Sequence, residues 1–433
     1  MGRYLNPGME SFEKSVNSEI YVDKTGLVGY TNRVMNTVQG YVCVSRPRRF
    51  GKSMAANMLT AYYSRGCDSR EIFSKFEISE SPDFEKYRNK YNTIFLNMQE
   101  FLSRSDSVEA LVDRVKKLVL RDLKREYPDV DYFDDTDLVE SMQDIYETEK
   151  CPFVVIIDEW DCIFREFRQN KEAQEKYLDF LRDLLKDKAC IHLAYMTGIL
   201  PIKKYGTHSA LNMFMEYSMT DPGNMAEYFG FTEKEVENLC VEYGMSIEET
   251  KAWYNGYLID GEHMYNPNSV SQALERHKID SYWRNTSAFD TINTFITMNY
   301  AGLKDDVMKM LTGGKVRINT NTFQNDFSII TSKDDALTAL IHLGYLGYDA
   351  DRKKSFIPNY EVATAFELAL QTGSWKEIAE SISKCDELLD ETIDGNAERV
   401  AELIELAHET YTSILKYNDE NALSCVLTMA YFT

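Results

Sequence analysis

Hydrophobic and polar positions along the first two hundred residues switch between two periods. Four short runs are apolar throughout or at their centres: Tyr41-Val42-Cys43-Val44, Asn92-Thr93-Ile94-Phe95-Leu96-Asn97-Met98, Phe153-Val154-Val155-Ile156-Ile157 and Ile191-His192-Leu193-Ala194-Tyr195-Met196-Thr197-Gly198. Runs of this length, rich in β-branched and aromatic residues, read as strands covered on both faces. Between them the period lengthens to that of a helix. Met54, Ala55, Met58, Leu59 and Tyr62 share one face, and Val108, Leu111, Val112, Val115, Leu118 and Val119 form a stripe within 106–126. A further amphipathic stretch covers 173–186. Strand and helix in alternation predict an α/β fold with a parallel sheet.

Beyond about residue 225 the texture changes. Thr232 followed by Glu235 has the spacing of a capping box opening a helix. Trp253-Tyr254-Asn255-Gly256-Tyr257 and Tyr265-Asn266-Pro267-Asn268-Ser269-Val270 flank a hairpin-like piece, and Gly313-Gly314 is a break. A helix over 336–343 stops at Gly344, and strands over 345–350 and 355–358 follow, around the basic tip Asp351-Arg352-Lys353-Lys354. Helix then hairpin is a winged-helix outline. From Glu361 the pattern is helical, with stripes at Val362, Ala365, Phe366, Ala369, Leu370 and at Val400, Leu403, Ile404, Ala407. Three domains are expected: 1–225, 226–360 and a helical segment 361–433. The last run, 422–433, is apolar and lacks a polar tail, so the chain reads as cut there. That end is expected to pack against missing sequence, a partner protein or a second copy.

Composition adds bounds. The 433 residues carry 44% hydrophobic and 27% charged side chains, ordinary for a globular chain able to bury a large core. No apolar run approaches the roughly 18 residues of a membrane span. The start is polar, and the eight cysteines are scattered, which together suggest reduced thiols and a cytoplasmic protein with no membrane part. The six histidines show no metal-ligand spacing. The net charge of −22 argues against laying most of this surface on nucleic acid. Residues 361–433 hold 15 acids against 4 bases, yet the basic hairpin tip keeps local DNA contact open.

The chemistry concentrates in Arg46-Pro47-Arg48-Arg49-Phe50-Gly51-Lys52-Ser53, placed between a predicted strand and a predicted helix. This is the setting of a P-loop, where backbone N–H groups and a helix N-terminus receive phosphate charge. Lys52 would meet the β- and γ-phosphates of ATP, and Ser53 would ligate Mg²⁺. Arg46 stands where the G-x-x-x-x-G-K-[ST] pattern has its first glycine. Arg46, Arg48 and Arg49 exceed what a neutral loop needs. At least one is expected on a phosphate, against the alternative of surface ion pairs. The second half of the site is the strand ending Asp158-Glu159, with Asp158 on the Mg²⁺ shell and Glu159 orienting or deprotonating the attacking water. Thr197 should end a strand next to both halves and either sense the γ-phosphate or fix that water; a plain Thr-Gly turn is the alternative. The segment Tyr21-Val22-Asp23-Lys24-Thr25 covers the nucleotide base or is simply an edge segment.

Taken together, RPRRFGKS after an apolar strand, IIDEWD, the MTG of residues 196–198, YVDKT and WYNGY resemble a bacterial family. Its members are AAA-ATPase-like proteins with a C-terminal PD-(D/E)xK nuclease-superfamily domain. The resemblance runs from about Leu5 to Thr433 and implies ATP binding through Gly51, Lys52 and Ser53, with Asp158 and Glu159 as the acidic motif. It also implies a nuclease-like module after Glu361. There the sequence departs from the pattern, because no acid-bearing strand followed by E-x-K lies between 361 and 433. The string Pro82-Asp83-Phe84-Glu85-Lys86 lacks the separation that would bring two acids to one metal. The chain is therefore expected to bind and hydrolyse ATP, to control a C-terminal effector or partner, and not to cut DNA itself. A non-hydrolysing nucleotide switch and a winged-helix DNA-binding regulator are the rival readings.

Overall fold

The computed structural model describes residues 2–202, 211–283, 286–298, 300–326, 329–372, 388–389 and 391–412. Strands β1 (Tyr41–Ser45), β2 (Asn92–Asn97), β3 (Phe153–Asp158), β4 (Ile191–Gly198) and β5 (Met215–Tyr217) form one sheet. Their order is β2-β3-β4-β1-β5, and every neighbouring pair is parallel. The fold is α/β, as the alternating periods predict. All six residues of β3 are buried, because helices cover both faces of the sheet.

The period of two decides which face each residue serves. Val42, Val44, Val154, Ile156 and Tyr195 pack with Ala55, Met58, Leu59 and Tyr62 of the helix Lys52–Tyr63. Cys43, Val155, Ile157 and Met196 pack on the opposite face with Leu111 and Val115 of the helix Val108–Glu126 and with Leu178 and Leu181 of Lys171–Leu185. Each such aliphatic side chain contributes roughly 1.5–3 kcal/mol when fully buried. The helix starts differ by two residues from those read off the apolar stripes, because polar caps set them. Ser107 accepts from Ala110 N at 3.2 Å and Asn170 from Ala173 N at 3.0 Å. Met54, expected on the packed stripe, is 41% exposed: the first turn of its helix faces a cleft rather than the sheet.

The second region builds two small antiparallel sheets. β6 (Phe231–Thr232), β7 (Tyr257–Ile259) and β8 (Glu262–Tyr265) pair in the order β6-β8-β7. The expected capping box is present: Thr232 and Glu235 exchange side-chain and backbone hydrogen bonds at the start of Glu233–Tyr243. β9 (Val316–Arg317), β10 (Gly347–Asp349) and β11 (Lys354–Phe356) pair as β10-β11-β9. They share a core with the helices Thr286–Ile296, Leu303–Leu311 and Lys333–Leu343, the last of which ends at Gly344 with φ +86°.

The boundaries expected at 225 and 361 cut through packed units. Ile20 lies in one core with Phe231, Val236 and Tyr265. Phe50, from the loop after β1, lies in another with Tyr257 and Leu340. The helix Tyr360–Thr372 adds Val362, Phe366 and Ala369 to that same core. Further on, Leu403 of the helix Ala397–Thr412 packs with Leu388, Val400 and Ile404. The apolar run 422–433 and the side chains of Leu370 and Ala407 lie outside the described residues. No described helix is long and apolar enough to cross a membrane.

Candidate nucleotide site

The loop between β1 and Lys52–Tyr63 turns through two left-handed residues, Arg49 at φ +68° and Gly51 at φ +82°. Gly51 caps the helix, and a Cβ there would meet only open space. Its glycine is required by backbone conformation, not by crowding. Arg46 is absent from the positive-φ residues, which explains why no glycine is needed where the motif usually begins.

Arg46 is not in the cleft, which corrects the expectation of a phosphate contact from that residue. Its fully buried guanidinium runs under the sheet edge, donating to Ser45 O at 2.9 Å and Tyr217 O at 3.1 Å over the ring of Phe229. Burial there lowers its pKa to about 10. Arg48 is exposed at the cleft. Arg49 also lines it, but its Nη1 donates to Tyr282 O at 3.0 Å. Lys52 is buried, and its Nζ donates to Pro47 O at 2.8 Å, within the loop itself. Burial pulls its pKa down, opposed by the carboxylates of Glu159, Asp161 and Asp158.

The sheet order brings the two motifs together. β4 separates β1 from β3, and Thr197 is in register with Val44 on one side and Asp158 on the other. Strands on the two sides of β4 thus deliver Gly51-Lys52-Ser53 and Asp158-Glu159 to one crevice at the carboxyl ends of the sheet. Asp158 accepts Glu159 N at 3.0 Å on Oδ1, while its buried Oδ2 has no hydrogen-bond partner among the described residues. Burial raises its pKa to about 6, the nearby Ser53 hydroxyl and Lys52 counteracting and Glu159 adding to the rise. A buried carboxylate oxygen without a donor, beside an exposed serine hydroxyl, is a donor set that suits Mg²⁺, a hard cation taking oxygen ligands. Thr197 Oγ1 is buried beside the Tyr195 hydroxyl, and among the described residues neither makes a hydrogen bond of good geometry.

Two further residues escaped the sequence reading. Glu159 follows β3 in the left-handed region at φ +55°, a conformation costing a non-glycine on the order of 1–3 kcal/mol. Its Oε2 pairs with Arg165 Nη2. Arg165 Nε lies 3.2 Å from Asp161 Oδ2, an ion pair without hydrogen-bond alignment. Asp161 Oδ2 in turn accepts Ile199 N at 3.1 Å and Leu200 N at 2.9 Å, just past β4. A Cβ on Gly198 would sit 2.6 Å from Asp161 Oδ1, so the glycine after Thr197 makes room for this carboxylate. The four-residue spacing of Asp161 and Arg165 was the available signal.

The crevice opens into a cleft of ≈ 1030 Å³. Its lining includes the apolar side chains of Ile20, Tyr21, Val22, Met58, Tyr228 and Phe231. Lys24 fixes the segment 21–25, donating to Glu227 O and to Glu235 Oε1, both at 2.7 Å.

A strand–loop–helix phosphate loop and an acid-ended strand on a 2-3-4-1-5 parallel sheet define a P-loop NTPase. In agreement, residues 6–207 match the family described as "Predicted AAA-ATPase". Among curated proteins, the chain is 24% identical over 293 residues to an uncharacterized protein in the vnfD 5′ region of Azotobacter chroococcum mcd 1, covering 64% of this chain. The chain spans about half, 53%, of that relative's length. Solved structures give a weaker likeness. A Walker-type ATPase of Pyrococcus abyssi matches at 12% identity with a TM-score of 0.39, over 79% of this chain and 94% of that one. The Aeropyrum pernix ORC2 protein matches at 10% identity with a TM-score of 0.30, over 81% and 95%.

Proposed function

We propose that the chain binds Mg²⁺-ATP in this cleft and hydrolyses it, the nucleotide state governing the second region and a C-terminal effector or partner. The register of Thr197 between Val44 and Asp158 carries the reading, because it sets both motifs around one point. Lys52 would exchange the carbonyl of Pro47 for the terminal phosphates, a compact ammonium meeting concentrated charge. Ser53 and Asp158 would hold Mg²⁺, which when bound would supply positive charge against the negative charge of the phosphates. Glu159 accepts the proton of the attacking water. Thr197 orients that water or senses the γ-phosphate, and Arg48, exposed at the cleft mouth, is the loop arginine best placed to add positive charge.

The helix-and-hairpin outline of Lys333–Leu343, β10 and β11 supports a winged-helix reading of that part of the chain. The sequence resemblance supports a nuclease-like effector as the controlled element. A non-hydrolysing switch draws support from the engagement of Glu159 by Arg165.

Calorimetric titration with Mg²⁺-ATP and a multiple-turnover assay test the proposal together. Lys52→Ala should nearly abolish binding. Glu159→Gln should keep binding and slow turnover by roughly two to four orders of magnitude, the usual reach of a positioned base. Equal affinity in wild type and Lys52→Ala would remove the site. Tight binding with no turnover in wild type would leave the switch.

A further inference from the structure

We propose that Arg165 is the positioning residue for Glu159, holding one carboxylate oxygen so that the other faces the water. The inference rests on the hydrolysis reading above. Glu159 leaves β3 in a left-handed turn and lies at the cleft, where a carboxylate on a flexible side chain has several orientations open to it. Arg165 removes most of that freedom. Its side chain is 9% exposed, its Nη2 engages Glu159 Oε2, and its Nε sits 3.2 Å from Asp161 Oδ2. Asp161 is fully buried and fixed by the backbone N–H groups of Ile199 and Leu200. A continuous set of contacts therefore runs from the end of β4, through Asp161 and Arg165, to Glu159. That is the same strand end that carries Thr197, so the base and the residue beside the γ-phosphate are referred to one rigid element.

With Oε2 engaged, Oε1 is left for the water. In the step, the water proton passes to Oε1, the water oxygen bonds to the γ-phosphorus, and the bond to the β–γ bridging oxygen breaks, leaving ADP and phosphate. The planar guanidinium suits this role because it spans two carboxylates at fixed angles, which an ammonium cannot reproduce. Trp160, between the two acids in sequence, is fully buried, its backbone N–H donating to Thr197 O at 3.2 Å and its carbonyl accepting from the Tyr177 hydroxyl at 2.9 Å.

The test is a mutant cycle in the full chain. Arg165→Ala should lower kcat by about 10- to 100-fold, the scale of a small misplacement of a catalytic group, with ATP affinity and KM within about twofold. Arg165→Lys should recover part of the loss. In the Glu159→Gln background, Arg165→Ala should cost almost nothing further, since a residue acting only through Glu159 has nothing left to position. An equal fractional loss in both backgrounds overturns the proposal and makes Arg165 a direct or purely structural contributor. A loss of ATP affinity matching the loss of kcat overturns it as well, placing Arg165 on the phosphates. Should Arg165→Ala fail to fold, Arg165→Lys and Arg165→Gln run through the same cycle separate the same outcomes. If Glu159→Gln alone turns over like wild type, the base assignment falls and this proposal with it, a result distinct from additivity around a slow Glu159→Gln.

Discussion

Glu361, 3% exposed, accepts Tyr282 N at 2.6 Å and Trp283 N at 2.8 Å and so pins the segment that Arg49 of the phosphate loop also contacts. Burial raises its pKa from the ordinary glutamate value, while the Ser269 hydroxyl, the two N–H groups and Arg49 pull it down. The sign follows from linkage. A folded-state pKa above the unfolded value favours the protonated fold. This group's contribution is therefore most favourable at low pH and declines as pH rises past about 4.3, where the unfolded carboxylate ionises. Glu361→Gln keeps a carbonyl acceptor for both N–H groups and never ionises. The melting temperature of the variant relative to wild type is expected to climb between pH 4 and pH 7; a flat difference across melts at several pH values would contradict the burial argument. Legibility at this scale is uneven. Lys52, Ser53, Asp158 and Glu159 could be named from sequence because spacing and strand ends determine where they point. The orientation of Arg46 could not, since it depends on a carbonyl of β5 171 residues away. The Asp161–Arg165–Glu159 chain depends on a left-handed turn that no periodicity announces.

Elements were legible in proportion to how much of their stability is written locally. β1, β3 and β4 show as mainly apolar runs, and β2 as an apolar centre flanked by Asn92 and Asn97, because the sheet is covered on both faces. β5, only Met215–Tyr217, carries Glu216 at its centre and exists through its pairing with β1. The two-residue strands β6 and β9 likewise exist through their partners. In the proposed mechanism β4 has a second duty beyond the core, since Thr197 ends it in register with Asp158. Thr197→Val separates the two duties: valine keeps the β-branched shape and removes a hydroxyl that is buried without a well-formed hydrogen bond. Loss of such a group costs little stability and can add some. The expected outcome is a melting temperature equal to or above wild type, with turnover reduced about 10- to 100-fold if the hydroxyl fixes the water or γ-phosphate. Unchanged turnover would return Thr197 to a simple strand-ending role.

At the scale of the molecule, the cleft belongs to neither region alone. Its walls take Lys52, Ser53 and Glu159 from the sheet side and Phe231, Asn268 and Glu275 from the second region. The phosphate loop is gripped from the far side. Phe50 meets the Tyr257 ring edge-on at 5.1 Å, a Cβ on Gly344 would lie 2.6 Å from Pro47 Cβ, and Tyr257 donates to Gly344 O at 2.8 Å. The WYNGY motif thereby acquires a structural reason: Tyr257 reaches the loop, and Gly256, at φ +109°, passes a backbone carbonyl of Pro358 too closely for any side chain. Exposing Phe50 alone forfeits a contribution of about 1.5–3 kcal/mol. A fragment of residues 1–225 is accordingly expected to show at least tenfold weaker Mg²⁺-ATP binding than the full chain; titration of the two side by side checks this, and equal affinity would show that the sheet alone builds the site.

The same grip has a consequence for how such proteins can diverge. Pro47, Arg49 and Phe50 sit between the two halves of the P-loop signature, yet each is shaped to fit a residue more than two hundred positions downstream: Gly344, Tyr282 and Tyr257. These loop positions are therefore expected to co-vary with the second region, while Lys52 and Ser53 are tied to the proposed chemistry. A recombinant that exchanges residues 231–372 between homologues would have to carry residues 47, 49 and 50 along with them, together with Lys171, Met219 and Ala226, which also meet that region.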